Sequence, residues 1–267
     1  MTATDVDTKG ASGPLTISVD DPWLWLAAGW RDLAKAPRLS LAYGAIFSFG
    51  SLGFVSGLIW LDLLYLLLPL GAGFMLVGPI LAIGLYEGSR RLEVGESVGF
   101  FDVLNGCRES LPRIMWAGGG LGLVMFAWMQ IAALLFMLFF GDGHYPSEPH
   151  LMFEMLFYSP RGLAFIFVGS SIGAVIAFVV FAFSAISMPL LMERDLDFIA
   201  AGKISADAVR ANLKPMLLWG GLIALFTAAG IATFFIGLIL SFPLIGHATW
   251  HAYRALVPKE APGADQA

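Results

Sequence analysis

The sequence predicts an all-α, polytopic membrane protein, with six transmembrane helices arranged as three elbow-plus-hairpin repeats and both termini cytoplasmic. Three observations point there. Of 267 residues, 58% are hydrophobic and 13% charged, with a mean hydropathy of +0.79; soluble domains run near 45–50% apolar and about 25% charged. The apolar residues gather into runs of the roughly 20 needed to cross a bilayer. The cations lie almost wholly on one side of those runs, which sets orientation. A soluble enzyme and a disordered chain fit this composition poorly. The net charge of −5 and pI near 5.3 argue against a nucleic-acid partner. Cys107 is the single cysteine, so no intramolecular disulfide forms and no Cys-based metal cluster is expected.

Residues 1–19 read as a solvated, acidic arm without the basic and apolar regions of a cleaved signal peptide, so insertion falls to the first span. Residues 20–258 form one membrane domain and 259–267 a tail. Asp21-Pro22 starts a helix, with Asp as N-cap and Pro at the first helical position. In the stretch 23–35, Trp23, Leu26, Ala27, Trp30 and Leu33 share a face, as in a helix lying in the membrane interface. The spans then read 39–60, 63–86, 114–140, 163–191, 216–234 and 237–256. The last two come from one run about twice a span of ~20 residues. Gly230, Gly237 and Pro243 interrupt it, so a tight turn near 233–237 is predicted; the alternative is one span plus an interfacial helix. With six spans, 14 of the 15 basic residues fall on one side and only Arg161 on the other, placing both termini on the cytoplasmic side of an inner membrane.

Three junctions look alike. Trp30, Arg31, Asp32 and Pro37 precede span one; Arg108 and Pro112 precede span three; Arg210 and Pro215 precede span five. Each is an amphipathic stretch with an Arg, then a Pro, then an apolar run reaching Gly. The span exits also rhyme. Gly78-Pro79 leads through Gly84, Tyr86 and Glu87 to Arg90 and Arg91, Pro243 leads to Arg254, and Pro189 leads to Arg194. These junctions and exits define the three repeats, a common construction for membrane bundles.

Small residues recur at helical spacing, at Gly53/Gly57, Gly84/Gly88, Gly118/Gly122 and Gly169/Gly173/Ala177. Close helix packing is the plain reading, a narrow pathway or a dimer face the sharper one. His247 and His251, one turn apart, would face one ligand if other spans supplied partners. His144 and His150 stand with Asp142, Glu148 and Glu154 in an outer loop that reads as solvated rather than metal-binding. No metal and no cofactor is assigned. Gln130 is the main polar residue within a span, so a charge-coupled ion pump is not expected. No phosphate loop, dinucleotide motif, HExxH or nucleophile–base arrangement occurs, so no catalytic residue is named.

Two blocks resemble the DUF2189 family of predicted bacterial integral membrane proteins. They are Ala28-Gly-Trp-Arg-Asp-Leu-Ala-Lys-Ala-Pro37 and Gly78-Pro-Ile-Leu-Ala-Ile-Gly-Leu-Tyr-Glu-Gly-Ser-Arg-Arg-Leu-Glu93. The resemblance covers roughly residues 14–258 and implies an inner-membrane protein with several spans, without a mechanism. The expected partner is the lipid bilayer, with a membrane protein complex or a second copy of the chain as further candidates. The leading functional expectation is a non-enzymatic scaffold or assembly protein. A transporter or channel for a weakly polar or lipid-like solute is the alternative, and a metal- or haem-handling protein built on His247 and His251 comes third.

Overall fold

The computed structural model describes residues 14–63, 66–141 and 148–258, and every regular element among them is helical. In chain order these are α1 (Asp21–Lys35), α2 (Pro37–Trp60), α3 (Leu67–Leu81), α4 (Ile83–Val94), α5 (Phe100–Gly106) and α6 (Leu111–Phe140). There follow α7 (Pro149–Phe157), α8 (Pro160–Ser184), α9 (Ser187–Glu193), α10 (Phe198–Ala211), α11 (Leu213–Ala232) and α12 (Leu238–Leu256). Proline sits at the first or second position of α1, α2, α6 and α8, where its missing N–H costs no helical bond. The first helix begins at Asp21 with Asp20 in the N-cap position, one residue earlier than the sequence reading; the Asp21 carboxylate accepts from the Ser18 N–H.

Four segments are long and apolar enough to cross a membrane: Pro37–Trp60, Leu111–Phe140, Pro160–Glu193 and Leu213–Ala232. The other two predicted spans fall short of that measure. α3 has 15 residues, about 22 Å at ~1.5 Å per residue, against a hydrocarbon core of about 30 Å. α12 has 19 residues but carries His247, His251 and Arg254 in its second half. Two predicted spans are also broken. The 163–191 span ends its first helix at Ser184, because the ring of Pro189 clashes with the carbonyl four residues back, at Ala185. The 63–86 span breaks at Ala82, three residues after Pro79, and the Tyr43 hydroxyl donates to the Leu81 carbonyl at the break. The turn expected near 233–237 is where α11 gives way to α12. There Thr233 donates to the Gly230 carbonyl and accepts from the Gly237 N–H, each at 2.9 Å, with Phe234 and Phe235 left-handed.

α12 is the central helix, packed on α1, α2, α4 and α11. Its contact with α2 is made by two complementary residues. Pro243 cannot donate to the carbonyl of Ile239, four residues back. That freed carbonyl lies against Gly44, where an added Cβ would come 2.2 Å from it. α1 is turned differently from expectation. Trp25, Ala28, Gly29 and Asp32 face inward with Leu26 and Leu33, while Trp23, Ala27 and Trp30 stay exposed. The reason is Gly29: a Cβ there would stand 2.7 Å from the Ala248 nitrogen, so the backbones meet on the small residues rather than on the indoles. Pro14–Val19 runs along the helix ends, pinned by hydrogen bonds from Leu15 to the Leu256 carbonyl and from Ile17 to Asn212.

Candidate functional site

The block Gly78 to Glu93 read in the sequence ends α3 and forms most of α4, and almost every polar residue of that helix enters a network. Three networks radiate from this helix.

The first surrounds Glu87, whose side chain is 2% exposed. It accepts from Arg90 Nε at 2.7 Å and Nη2 at 2.8 Å, and from Arg91 Nε at 2.8 Å. Spacings of three and four along a helix put both guanidinium groups on the same carboxylate, and their forked donors saturate it. Glu96 stands 3.4 Å from Arg91 and balances the second cation. Cys107 lies beside this cluster, and burial together with the Glu87 charge pushes its thiol up to about 11.

The second network ties three helix ends. Arg254 of α12 donates to Glu93 of α4 at 2.8 Å and to Glu193 of α9 at 2.6 Å. Its guanidinium lies 4.6 Å from the centre of the Trp250 ring, whose N–H also donates to Glu93. Tyr253 donates to Glu193 at 2.7 Å. The exits that rhyme in sequence thus meet in space.

The third network is a chain of five side chains from α1, α2, α4 and α12. Ser40 Oγ lies 2.9 Å from His247 Nε2, and Ser89 Oγ lies 2.8 Å from His247 Nδ1. Ser89 donates to Asp32 Oδ2 at 2.7 Å, and His251 Nε2 meets the same oxygen at 2.8 Å. His247 is fully buried. Burial would raise the Asp32 carboxyl, but hydrogen bonds from His251 and Ser89 and the two imidazoles outweigh it and hold the group below the usual carboxylate range.

On another face of α12 lies an apolar groove of about 310 Å³ between α3, α8, α11 and the first half of α12. Phe181, Gly220, Gly221, Phe242 and Gly246 line it, with Tyr86, Ser184, Thr227 and Thr249 as its hydroxyls.

The predicted site residues therefore divide. Asp32, Tyr86, Glu87, Arg90 and Arg91 are brought together at α4, and Gly84 packs against the Tyr43 ring. Trp30 and Arg31 are exposed on α1. Gly78 and Pro79 line the groove, while Pro37, Pro112 and Pro215 start helices and Pro189 and Pro243 shape them. Each nitrogen of His247 is taken by a hydroxyl, and among the described residues no group of three or more His, Cys, Asp or Glu side chains is arranged for a metal. His150 is exposed and 3.3 Å from Glu148, and His144 lies outside the described residues. Gln130 is exposed on α6. Sequence reasoning missed Ser40, Ser89 and Glu193, residue types that carry no motif; the one clue was Ser89 lying inside the distinctive exit block.

The family model of DUF2189, a predicted integral membrane protein, matches residues 67–193. The match covers a little under half of the chain. It runs from α3 to α9 and so holds α4, with Glu87, Ser89 and Glu93 of the three networks. The match is narrower than the resemblance read across residues 14–258: the Ala28–Pro37 block and α10 to α12 lie outside it. Asp32, His247 and His251 therefore complete, from outside the matched residues, a network to which Ser89 belongs from within them. No curated protein and no solved structure matches the chain.

Proposed function

We propose that this chain is a six-span inner-membrane protein with both termini cytoplasmic, built of three related hairpins, which binds an apolar or lipid-like molecule in the groove beside α12. The one-sided basic residues and the turn after α11 support the six spans. The short α3 continues into α4, and the first half of α12 is apolar, so both serve as spans whose inner ends carry the polar networks. The reading is non-enzymatic: binding, or carriage across or along the bilayer.

The groove carries this reading. Its volume falls at the lower end of small-molecule sites, which run about 300–1,000 Å³. Its walls are glycine, alanine and phenylalanine with a few hydroxyls, which suits an alkyl or isoprenoid chain and offers nothing to an ion. The scaffold reading draws on a different observation: Gly50, Gly53 and Gly57 on α2 have open space beyond them, a face that a partner helix would fill.

The test uses the full chain in lipid nanodiscs and a pyrene-labelled alkyl probe. Gly221 lines the groove and has open space where a side chain would project; Gly119 on α6 is equally open but away from the groove. Saturable binding that Gly221→Leu weakens by at least about tenfold, ~1.4 kcal/mol, while Gly119→Leu leaves it unchanged, is the expected result. Equal binding by both variants overturns the groove. A stoichiometric partner retained in mild detergent, with no probe binding, selects the scaffold.

A further inference from the structure

Hydroxyl groups have one hydrogen each, and that count constrains the chain from Ser40 to His251. Ser89 gives its hydrogen to Asp32, so His247 Nδ1 must carry a proton to bond to Ser89 Oγ. On the other side, Ser40 Oγ lies 2.9 Å from both the Ala36 carbonyl and His247 Nε2. If Nε2 also carries a proton, it donates to Ser40 and Ser40 donates to Ala36. If it does not, Ser40 turns its hydrogen to Nε2. Loss of the Nδ1 proton instead leaves the Nε2–H tautomer, with Ser89 turning its hydrogen to Nδ1; the imidazolium and each neutral tautomer are thus fully bonded, and the change between them is the rotation of one hydroxyl. A merely structural histidine needs only one such pattern.

The surroundings are equally specific. His247 meets Ser40 of α2, Ser89 of α4, and the charges of Asp32 on α1 and His251 on its own helix. Asp32 meets His251, His247 and Ser89. Glu87, also on α4, is already saturated by Arg90 and Arg91. The Asp32 side chain is 9% exposed and that of His251 29%, so the chain runs from a buried imidazole to one that reaches solvent.

We propose that His247, Ser89, Asp32 and His251 form a proton-exchange site that holds one proton and passes it between the buried imidazole and water. The inward and outward steps are the same exchange reversed. Nδ1–H of the His247 imidazolium breaks as Ser89 Oγ gains that proton, and the original Ser89 O–H breaks as Asp32 Oδ2–H forms. The products are a neutral His247 and a neutral Asp32 carboxyl. With His251 as its Nδ1–H tautomer, Asp32 Oδ2–H breaks as His251 Nε2–H forms, giving the imidazolium, and its Nδ1–H then breaks as water takes that proton; the Nε2–H left behind donates to the Asp32 carboxylate. Ser89 is the shuttle, since its hydroxyl accepts and donates in the same event. The groove uses Ile245, Gly246 and Thr249 of α12 and the exchange site uses His247 and His251, so either stands without the other.

The test is nitrogen-15 NMR of histidine-labelled full-length protein in lipid nanodiscs, where ring shifts report which nitrogen carries a proton. His150, exposed on α7, is the internal reference. Between about pH 3 and pH 9, the His247 and His251 ring shifts are expected to change in linked steps. Ser89→Ala removes the link and leaves the His150 titration in place, and Ser89→Thr, which keeps a hydroxyl, restores it. Asp32→Asn, which removes the carboxylate that both imidazoles face, also uncouples the two. A His247 that keeps one protonation pattern across that range, or linked steps that survive Ser89→Ala, overturns the proposal. The Ser89 pair decides the matter even if Asp32→Asn does not fold.

Discussion

α8 and the second half of α12 are both helices, yet only 6% of the apolar window in the segment containing α8 is buried, whereas Gly246, His247, Ala248, Thr249 and Trp250 of α12 are all buried in succession. The first is exposed along most of its apolar surface, which in a bilayer would meet lipid rather than protein. The second is enclosed by α1, α2, α4 and α9, and each of its polar groups must find its partner within the protein. Tertiary stability in this chain is therefore concentrated at the helix ends rather than in the span bodies. Association of apolar spans gains little from hydrophobic burial in lipid, while the paired charges and close backbone contacts at the ends are costly to break.

Substitutions sharpen that contrast. Glu87→Gln takes the charge from between Arg90 and Arg91 and is expected to cost about 3 kcal/mol, read as a lower midpoint of thermal unfolding in detergent. Gly44→Ala forces a methyl group toward the Ile239 carbonyl and should cost about 1–3 kcal/mol by the same assay. Acid tests the α1 contact. A carboxyl held below its ordinary value contributes stability above that value, about 3.9, and loses it as pH falls through the folded value. Unfolding should thus steepen below about pH 4, and Asp32→Asn should flatten that step. The raised thiol of Cys107 predicts slow alkylation by maleimide near neutral pH, accelerating on unfolding. The smallest effect belongs to the lipid face: Phe167→Leu on α8 should stay within about 0.5 kcal/mol of the parent. A cost as large as that of Glu87→Gln would erase the distinction between the two regions.

The apolar runs made the helices legible, and Gly230, Gly237 and Pro243 marked the interruption in the last of them. The breaks at Ala82 and Ala185 were not placed, because mean hydropathy continues across a helix break that only backbone geometry records. The face of α1 was misjudged for a related reason: indole rings suggested the interface, but the approach of α12 was set by Gly29, whose contribution is the absence of a side chain. The candidate site was half legible. His247, His251, Asp32 and Glu87 stood out as polar residues near apolar runs, and the exit block drew attention to α4. That Asp32 and His251, 219 positions apart, share one oxygen with Ser89 depends on helix packing that periodicity does not specify.

In the proposed function, the apolar groove beside α12 takes a lipid-like molecule. An electron cryomicroscopy map of the chain in lipid nanodiscs tests it most directly. Elongated density is expected between α8, α11 and α12, touching Phe181, Gly221 and Phe242, with the α4 networks level with the lipid headgroups. Helices closed over the groove, with Phe181 and Phe242 in mutual contact and no density between them, would contradict it.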